Sequence, residues 1–304
     1  MKKVAIIIIN YNREKDTVDC LESILAIESS KNILTTIVVD NGSKNKFATN
    51  KNYKEIGLKI LRSEKNLGFA GGNNFGIKHA LNNGADYVLL LNNDTFVDRK
   101  FIKELIDVFE EKKDAGIVAP KIYFAKGFEF HDRYRAEDLG KVFWYAGGIM
   151  DWNNVIGKHR GVDDVDTGQY DKIEKTDFAS GCCFLTSREV LEKVGMFDEK
   201  FFLYYEESDL CERVKRNGFS IFYTPKSVLW HKNAQSTGGS GSDLQDYYIS
   251  RNRLLFGMKH APFRSKIALF RESLKLLIMG RKWQKIGIRD FYILKFGKGS
   301  FSLD

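Results

Sequence analysis

Residues 4–12 read Val4-Ala5-Ile6-Ile7-Ile8-Ile9-Asn10-Tyr11-Asn12, an unbroken apolar run that stops at two amides around a tyrosine. With no polar residue on either alternating face, this is the pattern of a strand buried on both sides in a parallel sheet. Met1-Lys2-Lys3 ahead of it imitates a secretory leader, but the run is too short and no small-residue cleavage site follows, so a strand is the better reading. Downstream, Val18, Leu21, Ile24 and Leu25 recur at helical spacing. A β-branched run at residues 35–39 ends in Asp40-Asn41-Gly42-Ser43, and residues 58–61 form a short third strand. A glycine-rich stretch over residues 66–76 leads into a helix ending at Leu81. Residues 87–91 are a fourth apolar strand, closed by Asn92-Asn93-Asp94. Strand and helix alternating at this spacing predict βαβ units: an α/β fold with a mostly parallel central sheet flanked by helices. The polar segments Asn10-Tyr11-Asn12, Asp40-Asn41 and Asn92-Asn93-Asp94 each follow a strand, so they are expected along one edge, where open α/β sheets bind ligands.

Residues 121–175 are aromatic, charged and glycine-containing, and read as loops and short strands on the acceptor side. Helices are expected over residues 187–194 and 208–217, the latter stopped by Gly218, and a strand over 220–224. Residues 236–242 have the composition of a flexible loop.

The chain has 304 residues, 43% of them hydrophobic, which suits a folded α/β protein with a sizeable core. No apolar run approaches the ~18 residues of a membrane span. Cys20, Cys182, Cys183 and Cys211 show no paired spacing, so neither a zinc site nor a disulfide framework is expected; reduced, buried thiols are. The net charge of +8 is localised: residues 259–298 hold eleven Lys and Arg against Glu272 and Asp290, a net +9, which leaves the rest of the chain at −1.

Four groups of residues are candidates for chemistry. Asn92-Asn93-Asp94 offers one carboxylate at a strand end, which suits a hard divalent cation bridging diphosphate oxygens, although Asn and Asp are also ordinary turn residues. In Tyr204-Tyr205-Glu206-Glu207-Ser208-Asp209, three acids fall within four residues behind the aromatics Phe201 and Phe202. Acids favour a first helical turn, but three of them beside aromatics also suit a carboxylate whose raised pKa lets it take a proton from a hydroxyl. His231, after Val228-Leu229-Trp230, is either a core histidine or a metal ligand for a site short of carboxylates. The stretch from Asn66 through Gly68 to Asn73 and Asn74 lacks both the Rossmann and the P-loop spacing; its backbone suits a close approach to a nucleotide or a tight structural turn.

Taken in order, Ile9-Asn10-Tyr11-Asn12, Val38-Val39-Asp40-Asn41-Gly42-Ser43, the Asn66-to-Asn74 stretch, Leu90-Leu91-Asn92-Asn93-Asp94, Gly181-Cys182-Cys183, Gly195-Met196-Phe197-Asp198-Glu199, the acidic cluster, Trp230-His231-Lys232 and Arg251-Asn252 resemble the family 2 glycosyltransferases of the GT-A fold, especially their rhamnosyltransferase-like branch. The resemblance spans residue 4 to about residue 252. It implies an inverting transfer of a sugar from a nucleotide-diphosphate donor, dTDP-rhamnose or a UDP-sugar, to a glycan or lipid-linked glycan in polysaccharide assembly. It further implies nucleotide-sugar contacts from Asn10, Tyr11, Asn12, Asp40, Asn41, Asn66, Gly68, Asn73, Asn74, Asn92 and Asn93, and Mn2+ or Mg2+ held by Asp94 and His231. Glu207 then stands at the general-base position, with Glu206 and Asp209 as alternates. Two departures stand out: Asn92 where the family's metal motif has its first aspartate, and Glu207 where the base is commonly aspartate. A nucleotidyltransferase and a degenerate sugar-nucleotide binder are the rival readings.

The organisation expected is a catalytic domain over residues 1–258, divided into a nucleotide-sugar half (1–120) and an acceptor half (121–258), followed by a basic amphipathic helical tail (259–304). In the tail, Ile267, Phe270, Leu274, Leu277 and Ile278 recur at helical spacing among lysines and arginines, with Trp283, Phe291 and Tyr292 as headgroup-level aromatics. A cytoplasmic protein peripheral on the inner face of the cell membrane, bound to anionic lipid, is the expectation; nothing resembles a nucleic-acid reader.

Overall fold

The structure, a computed structural model, describes residues 1–28, 32–49, 51–233 and 241–302. The first half runs β1 (Lys3–Asn10), α1 (Glu14–Leu25), β2 (Ile33–Asn41), β3 (Lys59–Ser63), α2 (Gly68–Asn82), β4 (Tyr87–Asn92), β5 (Thr95–Val97) and α3 (Phe101–Glu111). Then come β6 (Ala115–Phe124), β7 (Phe143–Tyr145), β8 (Gly148–Asp151), β9 (Ile156–His159), β10 (Glu174–Lys175), β11 (Cys183–Ser187), α4 (Arg188–Val194), α5 (Glu206–Arg216) and β12 (Ser220–His231). Three helices follow: α6 (Asp243–His260), α7 (Phe263–Met279) and α8 (Lys282–Tyr292). The ten-stranded sheet is ordered β10-β12-β6-β11-β4-β1-β2-β3, with β5 added to β12 and β7 to β6.

β1 is apolar on both faces because α1 and α2 both pack on it, and Val4 to Ile8 are almost wholly buried. The strands β3, β2, β1 and β4 are all parallel, as the alternation predicts. The other half is mixed. β11 lies antiparallel between β4 and β6, while β6 and β12 are parallel. An apolar strand carries no mark of its direction; the long excursion between β6 and β11 brings the chain back the other way.

The glycine-rich stretch forms the first turns of α2, which starts at Gly68. A Cβ built on Gly76 would lie 2.6 Å from Ile7 Cγ2, so glycine there is what lets the helix close onto β1. The loop expected over residues 236–242 lies largely outside the described residues; Ser242 caps α6.

The expected boundary between residues 258 and 259 falls inside α6, which packs against α8. The helical extension therefore begins at Asp243. Trp283 is not an exposed anchor: it is buried against Tyr247, Tyr248 and Phe301. α7 buries Ser265, Leu269 and Ser273 and presents another row to solvent: Phe263, Ile267, Phe270, Leu274 and Ile278, with Phe263 and Ile278 each 77% exposed. At 100° per residue, Arg264, Arg271 and Lys275 line one flank of that row, all exposed. Tyr292, stacked edge-on beside Phe270, continues the surface into exposed Ile293 and Leu294. Among the described residues no helix is long and apolar enough to cross a membrane.

Candidate active site

The parallel register pairs Asn10 with Asp40 and Ile9 with Asn92, so the three polar loops leave the sheet along one edge. There they bond first to each other. Asn10 donates to Ser43 Oγ at 3.2 Å and accepts from Thr17 Oγ1 at 2.9 Å; Thr17 Oγ1 also accepts from Asn93 Nδ2 at 2.9 Å. Burial alone would push the Asp40 carboxyl up, yet hydrogen bonds from Ser43, the Phe47 amide and Arg62 hold it below the ordinary aspartate value. Asn12, at φ +55°, accepts from the Lys44 amide at 2.8 Å. Tyr11 stands 46% exposed on this edge.

Several residues expected to touch the nucleotide have structural tasks. Asn41 is buried, donating to Gly68 O and Asn66 Oδ1 and accepting from the Leu67 amide. Asn73 donates to Phe69 O. Asn74 donates to Phe197 O and Glu199 Oε1 and accepts from the Phe197 amide, all at 2.9–3.0 Å, so its amide is fully occupied in clasping residues 195–199. Gly68, at φ +74°, admits the acidic loop: a Cβ there would lie 2.4 Å from Phe202 O. The expectation of ligand contact thus narrows to Tyr11, Asn12, Asn92 and Asn93, with Asn10 and Asp40 as their support.

Asp94 follows β4, and β5 then pairs with β12 so that Thr95 opposes His231. This brings Asp94 Oδ1 within 3.1 Å of His231 Nε2. Both residues are buried, and the Trp144 ring packs edge-on against the imidazole. His231 Nδ1 has no partner among the described residues. A separation of 3.1 Å is close to the edge of an octahedron whose arms are about 2.1 Å, and a carboxylate with an imidazole is a donor set for manganese more than for calcium or magnesium. Among the described residues no cluster of three His, Cys, Asp or Glu side chains exists. The pair therefore fits a divalent cation that would draw its remaining ligands from outside these two side chains.

The acidic cluster opens α5. Glu206 is buried, its Oε2 has no partner among the described residues, and its carboxyl lies well above the usual range, first because of burial and then because Glu207 is beside it. Glu207 is half-buried and is also raised, again by burial. Asp209 differs. Burial would raise it, but His260, Arg213 and Lys259 hold it far below the ordinary value, with His260 Nε2 at 2.8 Å and Lys259 Nζ at 2.6 Å. An acid so fully paired has little basicity left, so Asp209 drops out as an alternate base and becomes the tie between α5 and α6. Residues 180–183 join the acidic cluster to the metal pair: a Cβ at Gly181 would sit 3.8 Å from Glu207 Cβ, and Cys182 O accepts from the Asn92 amide at 2.8 Å. All four cysteines are buried and free.

Two features were not readable as site features. Phe202, Tyr204 and Tyr205 all have positive φ (65°, 69°, 73°), a conformation that bulky residues rarely adopt, immediately before the acids. Their support comes from Arg251 and Asn252, buried on α6.

The family model for glycosyl transferase family 2 matches residues 5–195. The low-salt glycan biosynthesis hexosyltransferase Agl10 of Haloferax volcanii is 27% identical over 253 residues, 83% of this chain and 74% of that protein. The dTDP-rhamnosyl transferase RfbF of Shigella flexneri is 26% identical over 265 residues, 84% of this chain and 80% of that one. The crystal structure of GalNAc-T7 with UDP, GalNAc and Mn2+ aligns with a TM-score of 0.60 and 14% identity over 96% of this chain, which spans 57% of that structure; at such identity the likeness speaks to the fold. With the family's segment covering well over half its length and a GT-A sheet beneath the site, the chain belongs to glycosyltransferase family 2 and is an enzyme of that family.

Proposed function

We propose that this transferase moves a sugar from a nucleotide-diphosphate donor, dTDP-rhamnose or a UDP-sugar, to a hydroxyl of a glycan or lipid-linked glycan, with a divalent cation and with inversion at the anomeric carbon. The observation that carries this is the joining of the buried Asp94–His231 pair to Glu207 through residues 180–183. Tyr11 stacks on the base, with Asn12, Asn92 and Asn93 along the ribose and phosphates. Asp94 and His231 hold Mn2+ or Mg2+, which when bound offsets charge developing on the departing diphosphate. Glu207 accepts the proton of the acceptor hydroxyl as its oxygen attacks the anomeric carbon from the face opposite the diphosphate. The sugar–phosphate bond breaks, the nucleoside diphosphate leaves with the electron pair, and one displacement gives inversion.

A nucleotidyltransferase would want a glycine-rich activating loop with basic residues after β1. Here that loop is Asn10-Tyr11-Asn12, bonded to Ser43 and Lys44. The experiment that tests the transferase reading is calorimetric titration with UDP, dTDP, GDP and CMP, each with and without manganese. One diphosphate binding more tightly with the metal is the expected result; no binding to any of them sinks the reading in favour of a degenerate partner-binding protein.

The acceptor reading includes its place of action, an anionic membrane surface on the cytoplasmic side. The exposed row on α7, with cations on its flank, supports it. Truncation after Met258 is a poor test, because it removes Lys259 and His260 from Asp209. Point changes are cleaner. Burying one large apolar side chain contributes about 1.5–3 kcal/mol, so the double variant F270E/I278E is expected to lose about 100-fold in partition onto phosphatidylserine vesicles. Sedimentation with vesicles reads this, and unchanged partition refutes the docking face.

A further inference from the structure

The turn that delivers the acids is held against its own preference. Phe202, Tyr204 and Tyr205 sit at φ 65°, 69° and 73°, a region in which a Cβ is crowded. No glycine or asparagine relieves them, so the surroundings must impose the shape. One helical pair does so. Asn252 Nδ2 donates to Phe201 O at 2.7 Å, Leu203 O at 2.8 Å and Tyr204 O at 2.9 Å. Arg251 Nη2 donates to Phe201 O at 3.0 Å and Lys200 O at 3.3 Å, and its Nε donates to Asn252 Oδ1 at 2.9 Å, fixing which way the amide faces. Both side chains are fully buried.

The Arg251 guanidinium lies over the rings of Tyr247 and Tyr248. Among the described residues it bonds no carboxylate directly. A cation buried in that way is held by backbone carbonyls and π faces, an arrangement that recognises a backbone shape rather than a charge. On the other side of the turn, Phe202 O accepts from the first amides of α2, Phe69 at 2.7 Å and Ala70 at 3.2 Å. Tyr205 then caps α5, its carbonyl accepting from the Asp209 amide at 2.9 Å and its hydroxyl donating to Val155 O at 3.1 Å. Two residues beyond that cap is Glu207.

We infer that Arg251 and Asn252 are positioning residues for the transfer step: they clamp the carbonyls of residues 200–204 so that the strained turn aims Glu207 at the attacking hydroxyl. This rests on the reading of Glu207 as the base. It differs from a plain packing role because the clamp holds the shape of the one segment that sets the direction of α5's first turn. Nucleotide contacts lie on β1, β2 and β4 and do not depend on it. A base misplaced by about 1 Å costs on the order of 100-fold in rate.

The test uses N252D, nearly isosteric but with the donors replaced by an acceptor, and R251K, which keeps the charge but loses the planar fork. The readout is hydrolysis of the sugar nucleotide whose diphosphate binds in the titration (UDP-glucose, dTDP-rhamnose or GDP-mannose), with water as the acceptor. Diphosphate affinity is measured in parallel. Each variant is expected to lower the maximal rate about 100-fold with diphosphate affinity within about twofold of wild type, and to add no further loss in an E207Q background. A rate within threefold of wild type overturns the inference. So does a loss that recurs in full on E207Q, or one matched by lost diphosphate affinity, since either marks a general folding defect. Should N252D fail to fold, R251K carries the same cycle. Full activity of E207Q alone would refute the base reading and leave the clamp's effect on rate measurable by itself.

Discussion

E207Q is expected to lower the maximal rate of sugar transfer by about 10²- to 10⁴-fold, the span that a positioned general base contributes, while leaving the affinity for the nucleoside diphosphate unchanged. The three acids of the cluster have been sorted by their surroundings. Asp209 is paired to Arg213, Lys259 and His260 and lies far below the ordinary aspartate range. Glu206 is sealed, and burial, followed by its neighbour Glu207, pushes its carboxyl well above the ordinary glutamate range. Between them Glu207, half-buried and raised by burial, is the one that combines access with basicity. The contrast gives a control: Glu206 is sealed away from any acceptor, so the near-isosteric E206Q is expected to cost less than about tenfold. The pH profile follows with a definite sign. The base must be ionised to work, and burial raises its pKa above the ordinary glutamate value of 4.5. The rate is therefore lost as pH falls through that raised pKa, placing the acid limb above pH 4.5, and E207Q should remove the limb along with the rate. Retention of more than a tenth of wild-type activity in E207Q, with its acid limb intact, ends the assignment.

The half of the molecule built on β1 to β4 was legible because burial on both faces leaves an unmistakable mark on β1, β2 and β4: three apolar runs, each ended by amides or acids. The same logic put Asp94 at that edge, just past β4, whereas the strand that carries His231 was expected only over residues 220–224 and in fact runs to His231. Position relative to tertiary neighbours was not legible. The glycines of α2 suit either a close approach to a nucleotide or a tight turn until Gly76 is seen against Ile7; close approach between helix and sheet is something local spacing does not encode. Asn74 looks available until Phe197 and Glu199 occupy it. Asp209 and Glu207 are alike in sequence, and only the arrival of Lys259 and His260, some fifty residues later, separates them. In the tail, helical spacing found an apolar row on α7 but could not tell it from Trp283, which turns inward to Tyr247 and Phe301. The direction of β11 depended on the connection, and the strained turn on α6. In each case the missing information was which segment packs against which.

D94N is expected to abolish the part of nucleotide-diphosphate binding that depends on manganese and to lower transfer about 10³-fold, the rate equivalent of about 4 kcal/mol of lost charge stabilisation at the leaving group. The reasoning turns on how little charge the site holds. Where two aspartates are usual in the resembling family, this chain has Asn92, and among the described residues the cation would meet one carboxylate and one imidazole. Removing the single negative ligand leaves two neutral donors, which favour a hard divalent cation far less than a carboxylate does. His231→Ala is the complementary change. It keeps the carboxylate, so the cation is expected to be weakened instead of lost, and excess manganese should restore most of the rate. Asparagine is near-isosteric with aspartate and can still bond to His231 Nε2, so metal-free nucleotide affinity should be the same in D94N and wild type. Titrating UDP and dTDP into both proteins with and without manganese separates these terms. If manganese tightens binding as much in D94N as in wild type, the cation is held somewhere other than the Asp94–His231 pair. Charge on the departing diphosphate would then have to be offset by the basic side chains near the edge, Arg13 and Lys15 beside β1 and Lys232 after β12, and the mechanism would be one of fixed cations.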